Sequence, residues 1–236
     1  MLFLHEVHRV VGTKEDDFEA AYRDGFLPML AKGDEARLLY FMHHAHGTGR
    51  AYTAVTLTAV RDGAAYESFA HRVQDGDLKD WAREVDQLRH EVTGKILLPA
   101  PWSPMRDIDF AHVPTDASTH RLTLFMEDTA WPHEGMLDEY LEAARSHYAP
   151  SLAEGRHGGR SLLELQAVFQ GAWGASRRTE VVLWQKVLDP KGITVLITTE
   201  IPAEHRAPGT WMHDALRVRD DWESRLLRTS PWSPLY

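Results

Sequence analysis

His5 and Glu127 are the two side chains that this sequence offers most directly for proton transfer. They stand at matching places in two similar segments, and a histidine and a carboxylate in different surroundings can hold their pKa values apart and divide acid and base roles. Around them the chain supplies candidates to position a ligand. Tyr40, His44, Tyr52, Gln166, Gln170, Arg178, Glu180 and Trp184 fall on one parity of their strands, the parity that mixes aromatic and polar types. A few convergent polar groups on aromatic surface suit an aromatic or polyketide-like molecule.

Other chemistries have weaker carriers. Of the 14 histidines, His44 and His46 share a strand face and His5 is the natural third ligand, but no metal signature such as HExxH accompanies them. A haem would need a cavity-facing axial histidine, and His147, His157 and His213 are the choices in the second half. With no cysteine, thiolate nucleophiles and Cys-bound zinc are excluded. No resident cofactor is expected, with metal and haem as lesser readings.

The elements that must position these groups are read from an internal repeat. Residues 2–31 slide onto 124–153 without a gap, matching Leu2/Leu124, Asp16/Asp138, Ala21/Ala143, Arg23/Arg145, Pro28/Pro150, Leu30/Leu152 and Ala31/Ala153. A shift of 130 aligns Trp81/Trp211, Arg89/Arg219 and Leu97/Leu227, then Pro101-Trp-Ser-Pro104 with Pro231-Trp-Ser-Pro234. This predicts a repeat over 1–105, a polar linker over 106–119 and a second repeat over 120–236. In the first, residues 2–9, 37–46, 50–60 and 95–98 pattern as strands, and 15–31 and 64–92 as helices. In the second, the strands fall near 121–128, 161–170 and 178–188, and the helices near 134–153 and 211–226. Residues 155–159 and 189–208 read as inserted surface loops.

That order is β-α-β-β-α-β twice, an α+β ferredoxin-like unit whose open sheet face must be covered. Two such sheets on one chain cover each other as an intrachain dimeric α/β-barrel. In the aligned first strands, Leu2 and Leu4 against Leu124 and Met126 should meet the helices, and His5 against Glu127 the barrel. Pairing the central hairpins 126 residues apart puts Tyr40 against Gln166, His44 against Gln170 and Tyr52 against Arg178; a one-residue slip in either would invert the facing.

Each half resembles the NIPSNAP family of the dimeric α/β-barrel superfamily. The likeness rests on Phe18 with Phe26-Leu27-Pro28, Tyr140 with Tyr148-Ala149-Pro150, Leu183-Trp184, and Glu223-Ser-Arg-Leu-Leu227 before the second Pro-Trp-Ser-Pro. The family's histidine before Leu-Trp is here Val182, and Thr56 in the first half, so a role for it does not carry over. The resemblance implies the fold and leaves several activities open, among them cofactor-free monooxygenases, polyketide cyclases, haem enzymes and binding proteins.

A net charge of −9 disfavours nucleic acid and anionic membrane as partners. Residues 1–8 have no basic leader followed by a long apolar run, which with the absence of cysteine predicts a cytoplasmic protein. The expected partner is a small molecule, and a homo-oligomer is compatible with the sequence. Together these point to a cofactor-independent tailoring enzyme, a monooxygenase or cyclase, with a noncatalytic ligand-binding or protein-interaction module as the alternative.

Overall fold

The computed structural model describes residues 1–154, 161–177 and 179–236. Eight strands close into one barrel: β1 (Leu2–Val10), β2 (Ala36–His44), β3 (Thr53–Val60), β4 (Arg89–Pro99), β5 (Leu124–Trp131), β6 (Leu163–Trp173), β7 (Val181–Val187) and β8 (Asp221–Thr229). Their order around it is β1-β3-β2-β8-β5-β7-β6-β4. The amino-terminal half thus contributes β4-β1-β3-β2 side by side, the carboxy-terminal half β8-β5-β7-β6. All ladders are antiparallel, and closure runs through β2 with β8 and β4 with β6.

β2 and β3 read ARLLYFMHH and TAVTLTAV, and all but His44 are buried. One side faces the barrel and the other the helices, so both parities must be apolar or paired and a clean polar alternation is lost.

The helices pack outside. In the first half α1 (Glu15–Ala20) passes through a π-helical turn, Ala21–Phe26, into α2 (Leu27–Leu30). The second half repeats this with α5 (Leu137–Ala143), a π turn at Ala144–Tyr148 and α6 (Ala149–Ala153). Pro28 and Pro150 cannot donate to the preceding turn, and a widened turn just before each removes the clash a regular helix would suffer. α3 (Gly63–Gln74) and α4 (Lys79–Leu88) complete the first half, and α7 (Pro190–Thr198) and α8 (Trp211–Asp214) the second.

Four expectations need correction here. The predicted helix over 64–92 divides, and its last residues join β4, which is longer than 95–98. The predicted helix over 211–226 stops as an α-helix at Asp214, a 3-10 turn follows over Ala215–Arg217, and β8 takes its end, because Trp222, Arg225 and Leu227 pair against β5. The segment 189–208 is not merely loop, since α7 lies within it. The segment 106–119 does not behave as a free linker: Phe110 and Val113 are buried in the barrel core, with the Arg37 and Arg61 guanidinium groups 5.4 and 5.2 Å from the Phe110 ring.

The Pro-Trp-Ser-Pro tails have a polar task as well as an apolar one. Ser103 Oγ, at the end of the first half, accepts from Val168 N on β6 at 2.9 Å; Ser233 Oγ accepts from Phe41 N on β2 at 3.1 Å. Each tail therefore satisfies a donor on the other half. Ser103→Ala or Ser233→Ala would leave a buried N–H unpaired, and we expect each to cost about 1–3 kcal/mol in equilibrium denaturation, with threonine restoring part of it.

Candidate active site

The interior of the barrel brings His5 and Glu127 together. β1 and β5 lie on opposite sides of the ring, yet His5 Nε2 and Glu127 Oε2 are 2.8 Å apart, both 1% exposed. Burial alone would raise the Glu127 carboxyl, but His5, Lys95 and Arg225 override it and hold it at about 2. His5 Nδ1 has no hydrogen-bond partner among the described residues, and the ring meets Trp184 edge-on at 6.1 Å. Tyr40 packs at 5.5 Å on Trp184 and 5.2 Å on Phe125, while Phe3 lies 4.7 Å from Phe169. These rings fill the space between the sheets, and the two candidate proton-transfer groups face each other in it.

The remaining candidates divide. Tyr40 and Trp184 are interior, as expected. His44 sits half-buried at the end of β2 with neither ring nitrogen bonded among the described residues, and burial, then Arg225, lowers its pKa. Glu180, just before β7, is buried against Lys95 and takes Trp131 Nε1 at 3.4 Å. Gln170 does not line the interior, where Ala167 and Phe169 point, and Gln166, the extra residue of the β6 bulge, bonds Glu164 at 2.8 Å. Tyr52 is 52% exposed in the β2–β3 connection at φ 53°, a left-handed conformation strained for an aromatic residue. Arg178 and His157 lie outside the described residues.

The faces of Gln170 and Tyr52 follow from the spacing between the two central hairpins. β2 has a bulge between Leu38 and Tyr40, and β6 one between Leu165 and Ala167. The two bulges fall at equivalent places and leave the spacing between the halves unchanged; equivalent positions in the central hairpins are 127 residues apart, Tyr40 answering to Ala167 and Leu57 to Trp184, and the sequence alignment at 126 is one residue short. In β2 the mixed parity is interior, but in β3 Val55, Leu57 and Ala59 point inward and Thr56 outward. One residue of slip exchanges the faces.

A second group of titratable side chains lies on the outer face of the first half, where the sequence reading placed only scaffold. Even-numbered residues of β1 point toward the helices, and among them stand Glu6 and His8. Together with Leu4, Gly94, Ile96, Trp173 of β6 and Tyr66, Phe69, Ala70 and Val73 of α3, Glu6 lines a cleft of about 340 Å³. That is at the small end for ligand sites, roughly 300–1,000 Å³. Burial pushes the Glu6 carboxyl above its ordinary value, against the pull of Arg89, His5 and a hydrogen bond from Thr56. Behind it, His8 is wholly buried: Nε2 lies 3.1 Å from Thr56 Oγ1 and 3.4 Å from the Tyr22 hydroxyl, and Arg89 Nη1 donates to Nδ1 at 2.9 Å. Burial first, then the Arg89 charge, pushes His8 down to about 3, so it is neutral across the physiological range.

Among the described residues the second half differs at this place, although its carboxyl is also raised by burial. Asp128 replaces Glu6 and Ala130 replaces His8. Asp128 is buried and accepts from Gln185 Nε2 at 2.9 Å, and Gln185 in turn takes the Tyr148 hydroxyl. The polar interruption of an otherwise apolar strand face, Leu2, Leu4, Glu6, His8, Val10, was the sequence signal for the site.

Among the described residues, no group of three or more histidines and carboxylates is arranged to hold a metal ion. His147 and His213 are exposed, His213 bonding Asp214 at 2.9 Å. No described helix is long and apolar enough to cross a membrane.

No family model matches the sequence, and no curated protein matches it. Solved structures do. Two chains called "putative monooxygenase", from Lactobacillus acidophilus and Fusobacterium nucleatum, superpose with TM-scores of 0.58 and 0.59 at 9% identity. The first covers 99% of this chain and 97% of its own, the second 97% and 91%. An anthrone oxidase-like protein gives a TM-score of 0.58 at 9% identity over 97% of this chain and 91% of its own. The likeness establishes the fold class, an α+β protein built on the closed eight-stranded barrel of the dimeric α/β-barrel proteins. Activity has to be argued from the residues.

Proposed function

We propose that the chain is a small-molecule tailoring enzyme, of monooxygenase or cyclase type and without a tightly held cofactor, whose reaction takes place in the cleft beneath α3. The observation that carries this reading is Glu6, a carboxyl raised by burial that opens into an aromatic and aliphatic cleft. Such a group is a stronger base when ionised than an ordinary carboxylate. The flat walls offered by Tyr66, Phe69 and Trp173 suit an aromatic substrate with an acidic O–H or C–H.

An anthrone is the simplest test molecule, and the anthrone oxidase-like neighbour supports the choice. Glu6 would take a proton from the methylene carbon, and the enolate would pass electrons to dioxygen. One oxygen atom then becomes the new carbonyl, and the other leaves as water with both methylene hydrogens. Dithranol with purified protein should consume oxygen and form the anthraquinone in equal amounts, above the uncatalysed rate. Saturable binding without oxygen uptake would instead favour a binding module, and no binding at all would refute the site.

On this reading His5 and Glu127 hold the two sides of the barrel and set β1 in place. We further infer that the halves are copies of one NIPSNAP-like, ferredoxin-like unit; their equal strand order and exchanged serine contacts support it.

A further inference from the structure

Both halves turn their central hairpin on a glycine in the left-handed region. At the spacing of 127, Gly47, with φ 80°, answers to Gly174, with φ 75°. Their surroundings differ. A Cβ on Gly47 would meet no described atom within 4 Å, whereas one on Gly174 would lie 2.5 Å from Gly94 O and 3.0 Å from Lys95 Cα. Gly94 stands opposite Glu6 in the β1–β4 ladder, so the second hairpin is seated on the strand that backs the cleft. The residue before that glycine is Trp173, paired with Ile96 of β4, while its counterpart His46 lies in a turn beyond the end of β2. Buried Glu180 ties the turn down. Its Oε2 accepts from Ser176 N at 3.3 Å, Ser176 Oγ at 3.2 Å and Trp131 Nε1 at 3.4 Å, and its Oε1 pairs with Lys95. Trp173 itself is 77% exposed although it lines the cleft. A tryptophan set in place by its backbone and covered so little keeps most of its apolar area for another molecule to bury.

We propose that Trp173 is a substrate-binding residue whose indole ring stacks on the planar ring system of the molecule that gives its proton to Glu6, so that the second half completes the cleft of the first. This rests on the cleft being the reaction site. Phe69 and Tyr66 of α3 supply the first half's aromatic surface, but Phe69 is already buried and Tyr66 half-buried, whereas Trp173 brings a ring with most of its surface free. Offset stacking covers that surface, and the gain grows with the ring area that overlaps. The substrate class that uses it best is a fused, planar aromatic system.

Anaerobic calorimetric titration of the full chain with dithranol tests this without turnover. Kd should rise about tenfold in Trp173→Ala and in Trp173→Leu, and stay near the wild-type value in Trp173→Phe. Leucine keeps apolar area but cannot stack. In air, oxygen uptake by Trp173→Ala should show the same rise in KM with kcat kept, and the melting temperature should not move, because so exposed a ring adds little to the fold. Wild-type affinity in Trp173→Ala or Trp173→Leu would refute the stacking, and if Glu6→Gln is inactive in the same assay the cleft remains the reaction site. If affinity falls as expected while Glu6→Gln keeps full turnover, the stacking holds and the assignment of catalysis to the cleft fails. A wild-type protein that does not bind dithranol overturns both.

Discussion

Glu6→Gln is expected to lower kcat/KM for dithranol about 10²- to 10⁴-fold, the range associated with removing a positioned acid or base. Glutamine keeps the shape of the side chain, but it cannot take up or release the proton. Binding, measured by fluorescence quenching of Trp173, should change little. The same substitution should raise stability above the acid range. Burial lifts the folded-state pKa of Glu6 over its ordinary 4.5, so the carboxyl's contribution is fully present below that value and is lost as pH rises through the folded pKa. Glutamine carries no such cost, and the melting temperature of the variant should pull ahead of the wild type on going from pH 4 to pH 8. A loss of activity together with a gain of stability is what a site residue held against its preference should show. An active variant would end the assignment.

The second large effect concerns the pair inside the barrel. Glu127→Ala removes the partner of a buried histidine and leaves Arg225 and Lys95 with less opposing charge; we expect it to destabilise the protein by about 3–5 kcal/mol in urea denaturation. His5→Leu with Glu127→Leu should recover most of that loss, since an apolar pair carries no desolvation cost. The acid limb provides a check. Glu127 is held at about 2 in the fold against an ordinary 4.5, so its stabilisation is present above 4.5 and disappears as pH falls from there toward 2. In Glu127→Gln that part of the acid dependence should be missing. An unchanged acid profile would mean that the carboxylate is not held as described.

The sequence carries the order of strands in the barrel well, because alternation and helical spacing depend on local burial. It carries the facing of β1 and β5 too, since residues 2–31 repeat as 124–153 without a gap. It fails at the central hairpins. The spacing between the halves grows from 122 at the first strands to 127 at the hairpins, and residue types within the strands do not reveal how many residues the connections add, so the faces of Gln170 and Tyr52 are read one residue out. The ends of the longer helices are misread for a different reason. Residues 89–94 of β4 are mostly exposed on a barrel strand, and their pattern offers no buried period to distinguish strand from helix. The cleft escapes notice because its carboxyl lies on a face judged by Leu2 and Leu4 alone. Following that parity two residues further reaches Glu6 and His8, and comparing it with Asp128 and Ala130 in the other half reveals the difference.

The crossed serines bear on how the molecule comes apart. Val168 finds its partner only when the first tail lies on the second half, and Phe41 only when the second tail lies on the first. Neither half owns the contacts that finish its own second strand. Loosening one half withdraws a hydrogen-bond acceptor from the other, so the two melt as a single cooperative unit despite their separate helical layers, and a fragment ending within residues 106–119 would be an incomplete object awaiting its complement.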